Sequence, residues 1–89
     1  MRLYSKSMTT KLLKLTISRV DAPIFDGEVV FVTLPGIDGE MTILANHSAL
    51  ISPLKKGILT LKKVDSETEK IEIESGTLEI SQNHATILI

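Results

Sequence analysis

In residues 70–74, KIEIE, apolar and charged side chains alternate without a break. Successive side chains on an extended strand point to opposite faces, so Ile71 and Ile73 share one side while Lys70, Glu72 and Glu74 share the other. The same period of two runs through LLKLTIS at 12–18, with Leu13, Leu15 and Ile17 inward, and through TLEI at 77–80, with Leu78 and Ile80 inward. GILTLKKV at 57–64 turns alternating after its first residues and puts Leu59 and Leu61 inside. EVVFVTL at 28–34 and ATILI at 85–89 are apolar on both faces, the pattern of strands covered twice. No window holds a sustained 3.6-residue period. ALISPLKK admits one helical turn at most, because Pro53 interrupts it.

Turn chemistry separates these runs. Asp21–Pro23, Pro35–Gly36 and Asp38–Gly39 mark bends, and Asp26–Gly27 is a common hairpin pair. Gly57 opens one strand and Gly76 lies between two others, while Asp65–Glu69 and Ser81–His84 read as polar hairpin loops. Short alternating strands with turns at this spacing predict an all-β fold of two packed sheets. The expected core joins Leu13, Leu15, Val30, Val32, Ile71, Ile73 and Ile80.

Composition narrows the chemistry. With 89 residues there is one domain, and 43 % apolar against 24 % charged residues is ordinary for a globular one. The aromatic residues are Tyr4, Phe25 and Phe31, too few for a platform on which nucleic-acid bases stack. Net charge is −1, so there is no overall pull toward phosphate backbones or anionic lipid. The first twenty residues nevertheless hold Arg2, Lys6, Lys11, Lys14 and Arg19 and no acid, which reads as a solvated N-terminal arm over residues 1–11. Lys outnumbers Arg there and no long amphipathic run follows, unlike a transit peptide. Without cysteine there is no disulfide and no thiolate chemistry. No apolar run approaches the ~18 residues of a membrane-spanning helix.

The densest group of polar and turn residues is PGIDGEMTILANHSAL at 35–50. His47 has no partner histidine nearby, since His84 is 37 positions away, and no metal-ligand spacing is present. Ser48 is its immediate neighbour and on a strand would point to the opposite face, which argues against a nucleophile–base pair. Asp38 and Glu40 flank Gly39 on a turn tip, where carboxylates stay solvated; the tip can offer negative charge to a basic or polar partner. Nothing matches a phosphate-binding glycine loop. No catalytic residue, cofactor site or metal site is expected.

In order and spacing these residues resemble the N-terminal β-domain of the epsilon subunit of F-type ATP synthases, called delta in mitochondria. The resemblance covers residues 12–89. It rests on Phe25–Asp26–Gly27–Glu28–Val29, on Pro35, Gly36, Gly39 and Glu40, on Thr42 through Ile51, on Leu54, Lys55 and Gly57, and on Ser75, Gly76, Leu78, Glu79 and Ile80. Thr42 stands where the family has Gly, and Ala45, Ala49 and Lys56 stand where it has Pro, which leaves 42–57 less conformationally fixed.

The resemblance implies a two-layer sandwich of about ten short strands, here without the helical hairpin with which family members continue. It implies a non-catalytic rotor part of the central stalk that docks the gamma subunit to the membrane proteolipid ring, peripheral on the cytoplasmic face of a bacterial inner membrane or the matrix face in mitochondria. Asp38, Glu40 and His47 would be its docking residues, and Gly27, Gly36, Gly39, Gly57 and Gly76 its turn formers. The alternative is a small all-β ligand-binding or prosthetic-group carrier domain. That reading asks for a Lys at a tight hairpin tip beside Met, a setting that Met41, Lys55 and Lys56 lack.

Overall fold

The computed structural model describes residues 11–65 and 67–89. Most of the arm expected over residues 1–11 lies outside them. The described residues contain eight strands: β1 Leu13–Arg19, β2 Ala22–Gly36, β3 Gly39–Leu44, β4 Leu50–Leu54, β5 Gly57–Lys63, β6 Thr68–Ile73, β7 Gly76–Ser81 and β8 His84–Leu88. They form one continuous hydrogen-bonded sheet in the order β1-β8-β7-β4-β2-β5-β6, with β3 on β2 and a further β1–β2 pairing. Among the described residues there are eight strands, where the resemblance implied about ten for the domain.

The sheet makes two layers because β2 is long. Its 15 residues serve both. The first half pairs antiparallel with β1, from Arg19↔Ala22 to Leu13↔Val29, while the second half pairs with β3 on one side and β5 on the other. β1 then runs parallel to β8, which carries β7, which carries β4. One layer is therefore β3-β2-β5-β6, the other β2-β1-β8-β7-β4, and the chain folds over at the middle of β2.

Two expectations fail along β2, for one reason. Asp26–Gly27 is not a turn: both residues sit inside the strand, opposite Thr16 and Leu15. A continuous ladder on β1 outweighs the local turn preference of an Asp-Gly pair. Val30 is half-buried, and Val29 takes its place in the core. Val29 faces Lys63 and Phe31 faces Lys62, so Val30 is an extra residue with no partner on β5. That is a β-bulge, which bends and twists its strand and shifts the phase of its side chains. It sits at the handover between layers, where strands that switch sheets bend. A second slip at Ile24, between Ile17↔Phe25 and Ser18↔Pro23, adds to the bend at the start of β2.

Elsewhere the period of two holds. Leu13, Leu15, Ile17, Val32, Leu34, Leu59, Leu61, Leu78, Ile80 and Ile87 are fully enclosed between the layers, and Ile71 packs against them half-buried. Each such Leu or Ile contributes roughly 1.5–3 kcal/mol on leaving water. ALISPLKK supplies β4, a strand rather than a helical turn. Pro53 is tolerated because β4 pairs fully with β7 on one side but touches β2 only at Gly36↔Leu54 on the other. Gln82 and Asn83 form a two-residue hairpin turn with both φ positive, at 52° and 61°, the mirror-image type whose twist suits antiparallel strands.

Candidate docking surfaces

The turns gather at the two ends of the sandwich. At one end the two-residue turn Ile37–Asp38 joins β2 to β3, closed by the Gly36↔Gly39 pair. Gly36 permits the close approach: a Cβ there would fall 2.8 Å from the Gly39 carbonyl oxygen. Gly39 has φ +137°, a conformation open to glycine and strained for other residues. The Ile37 N–H donates to the Pro53 carbonyl at 3.4 Å, and the Lys55 N–H donates to the Pro35 carbonyl at 2.9 Å. The tip is thereby pinned to the Lys55–Lys56 turn. Gly57 and Gly76 open β5 and β7 at this same end.

Asp38 and Glu40 are both exposed on this tip, with Ile37 half-exposed in the same turn. Lys55 and Lys56 are exposed beside them. The end is thus acidic at its hairpin and basic one turn away, with an apolar Ile37 in the mixture. An open groove of about 360 Å³ continues from it, lined by Lys56, Gly57, Ile58, Glu72, Ile73 and Glu74. The Lys55–Lys56 turn joins strands that do not pair with each other, β4 and β5, so it is not the hairpin tip a lysine carrier requires.

His47 lies at the opposite end. β3 runs the six residues from Gly39 to Leu44 away from the tip, roughly 17 Å at ~3.4 Å per residue. His47 follows in the connection to β4; it is exposed and lies outside any strand. Its Nδ1–H donates to the Ser48 carbonyl at 2.8 Å, which holds the ring over its own loop. The loop itself is fastened by Asn83, whose Oδ1 accepts from the Asn46 N–H at 2.7 Å and whose Nδ2 donates to the Leu12 carbonyl at 2.8 Å. Asp38 and Glu40 therefore share a surface, and His47 does not belong to it.

Sequence reading missed the histidine that is built into the fold. His84 stands opposite Lys14 across the parallel β1–β8 ladder. Its Nε2 lies 2.9 Å from the Thr16 hydroxyl, which in turn donates to Asp26 Oδ1 at 3.2 Å. With the hydroxyl proton directed to Asp26, His84 is left to donate from Nε2. This row ties β2, β1 and β8 together on an open outer face. The carboxylate meets the hydroxyl rather than orienting the imidazole, so the arrangement of nucleophile, base and orienter is absent. The signal was available only as register, which no single strand reveals. Among the described residues, no three His, Asp or Glu side chains converge on a point that could hold a metal ion.

The other feature legible only in three dimensions is the apolar content of the outer faces. Leu44 is 55 % exposed beside Phe31, its cross-strand partner, and Ile51 is 72 % exposed on β4. Thr33 and Thr42 lie next to that pair, their hydroxyls 3.1 Å apart.

Known proteins match this arrangement. A family described as ATP synthase, Delta/Epsilon chain, beta-sandwich domain matches residues 12–89. The chain is 38 % identical over 77 residues to the ATP synthase epsilon chain of Sulfurimonas denitrificans, covering 86 % of this chain and 59 % of that protein. It is 40 % identical over 77 residues to the epsilon chain of Nitratiruptor sp., covering 86 % and 60 %. The chain thus spans about three-fifths of the length of these relatives. Among solved structures, a chain of the Euglena gracilis mitochondrial ATP synthase, from the OSCP/F1/c-ring assembly, superposes with a TM-score of 0.82 at 25 % identity, over 86 % of this chain and 49 % of that one. A chain of the central stalk and c-ring of the Tetrahymena thermophila enzyme shares the fold, with a TM-score of 0.69 at 17 % identity, over 84 % and 60 %.

Proposed function

The chain belongs to the delta/epsilon family of ATP synthase subunits, whose β-sandwich domain it forms, and from that membership we propose that it is a non-catalytic part of the rotating central stalk. It docks the gamma subunit to the membrane proteolipid ring and helps couple proton flow to ATP synthesis. The complex is membrane-associated, and this chain sits on the cytoplasmic face in a bacterium or the matrix face in a mitochondrion. The observation that carries the reading is the family match over residues 12–89 together with the fold shared with the Euglena enzyme.

The separation of the two ends gives the docking a division of labour. The Asp38–Glu40 tip presents carboxylates and Ile37 to the polar loops of the ring, with the carboxylates steering the approach and fixing the register. His47 was expected beside the tip; because it lies at the opposite end, we assign it to gamma, the other neighbour. A stalk part that turns with both neighbours has to carry torque from one to the other without shearing. Two sheets joined through a shared long strand and a dry aliphatic core resist that shear, since close-packed interiors transmit strain.

The reading is tested in the assembled enzyme. Glu40→Lys should weaken association with the isolated ring by about ten-fold or more and reduce ATP-driven proton pumping while gamma binding holds. His47→Ala should do the converse, lowering gamma binding and sparing the ring. Normal assembly and full proton pumping in Glu40→Lys would remove the tip from the interface.

A further inference from the structure

The chain contains two Asp-Gly dipeptides, Asp26–Gly27 and Asp38–Gly39, and no Asn-Gly. Asp-Gly is chemically the least protected linkage an aspartate can make, because glycine puts no Cβ in the way of its own amide nitrogen. The fold places the two in opposite circumstances. We propose that Asp38–Gly39 is a site of spontaneous isoaspartate formation in the folded protein, and that Asp26–Gly27 is shielded from it.

In the reaction the Gly39 amide nitrogen attacks Cγ of Asp38. A C–N bond forms, a carboxyl C–O bond breaks, and the oxygen leaves as water with the amide proton, closing a five-membered succinimide. Water then adds to either ring carbonyl. Opening at the former side-chain carbonyl restores aspartate. Opening at the former main-chain carbonyl leaves the chain running through Cβ and Cγ, with one extra methylene in the backbone. Nothing is oxidised or reduced, and water is the sole co-reactant.

Ring closure requires the aspartate carboxyl to swing onto the next nitrogen, which in turn requires the backbone to leave the extended conformation. At residue 26 that movement is opposed three ways. Asp26 and Gly27 are paired with Thr16 and Leu15 inside the β1–β2 ladder. The Asp26 carboxylate accepts from Thr16 Oγ1 at 3.2 Å and lies 3.8 Å from Lys14 Nζ. The Phe25 ring stands 3.3 Å from where a Gly27 Cβ would be, leaving little room over that peptide.

At residue 38 only one of these restraints remains, the pairing of Gly39 with Gly36 at the very end of the β2–β3 ladder. Asp38 is an exposed turn residue outside the strands. Gly39 has φ +137° with nothing within 4 Å of a Cβ position. The product would lengthen the two-residue turn and break the Gly36↔Gly39 closure, so the modification acts on the hairpin tip and not on the core.

The test is ageing of the full chain at neutral pH and body temperature, folded and in concentrated urea, followed by proteolysis and electron-transfer mass spectrometry. A protein-isoaspartate methyltransferase with S-adenosylmethionine serves as an independent probe. In the folded chain isoaspartate should accumulate at position 38 with position 26 near background, while in urea the two positions should convert at similar rates. Asp38→Glu, which keeps the charge and the turn glycine, should abolish methyl acceptance by the folded chain. Equal conversion at 26 and 38 in the folded protein, or a position 38 that is inert folded yet reactive in urea, would overturn the proposal.

Discussion

The backbone N–H of Asn46 donates to the side-chain oxygen of Asn83 at 2.7 Å, joining residues 37 positions apart. The Asn83 amide also donates to the Leu12 carbonyl at 2.8 Å, and its backbone carbonyl accepts from the Lys14 N–H at 3.2 Å. One side chain in a hairpin turn thus fastens the β3–β4 connection and the entry to β1. Both asparagines have positive φ, at 63° and 61°, where Asn is better tolerated than most residues. Asn83→Ala should cost about 2–3 kcal/mol, from two lost hydrogen bonds and a left-handed alanine. Asn83→Gly keeps the backbone freedom and should recover part of it. Urea denaturation of the two variants separates the terms, and a glycine variant no better than the alanine one would assign the whole cost to the side-chain bonds.

The bulge in β2 makes neighbouring valines unequal. Val29 is fully buried and Val30 half-exposed. Val29→Ala should cost about 2 kcal/mol or more, since it removes buried methyl volume and leaves a cavity. Val30→Ala should stay under about 1 kcal/mol. Strict alternation with Val32 would reverse the order, so the ratio of the two midpoint shifts in urea reports directly on the extra residue.

Gly39 distinguishes backbone strain from crowding. A Cβ there meets nothing within 4 Å, yet φ is +137°. Gly39→Val should therefore destabilise by about 1–3 kcal/mol through conformation alone. Gly76 offers the contrast, because its Cβ would lie 2.6 Å from the Leu88 carbonyl oxygen. Gly76→Ala should loosen the β7–β8 pairing, visible as faster amide exchange at Thr77 and Leu88, whereas Gly39→Val should leave those amides protected.

Among the described residues, Lys63 is held more basic than an ordinary lysine. Its hydrogen bond to Glu69, at 2.9 Å, raises its pKa above 10.5, helped by the charges of Glu69, Asp65 and Glu67 and opposed by desolvation. The ammonium also stands 5.8 Å from the Phe25 ring centroid, over the mouth of the core. A group held more basic in the folded state contributes stability that is complete below its unfolded pKa and disappears as pH rises through the folded one. The contribution of this pair should thus be constant with pH around neutrality and decline above about pH 10.5. In Glu69→Gln that decline should be shallower than in the parent chain. Thermal melts of both proteins from pH 8 to 12 provide the comparison; parallel curves would mean that the pair contributes nothing.

Much of the fold was readable along the chain because it depends on local alternation. KIEIE, TLEIS and LKLTISR each state which side is dry before any partner is known, and the layered core contains Leu13, Leu15, Ile73 and Ile80 as read. The turn at Ile37–Asp38 follows from glycine placement, which is likewise local. Asp26–Gly27 went the other way. The same dipeptide that marks a turn elsewhere became mid-strand because β1 offered a complete ladder on that side, an energy that only a distant segment can supply. The candidate docking residues divide on the same principle. Asp38 and Glu40 are two positions apart and necessarily neighbours, while His47, seven further on, is carried to the other end by the length of β3.

By itself the amino-acid order determined that the chain is extended and two-faced, that it turns at the Asp38–Gly39 tip, and which aliphatic side chains of the strictly alternating runs leave water, since each of these is settled within a few residues by sterics and hydrophobicity. Only the tertiary structure decided that β2 belongs to both layers, that Val29 rather than Val30 is inside, and that the acidic tip and His47 look in opposite directions. Those outcomes turn on strand register, and register is fixed by pairing energies summed between segments that are remote in the chain.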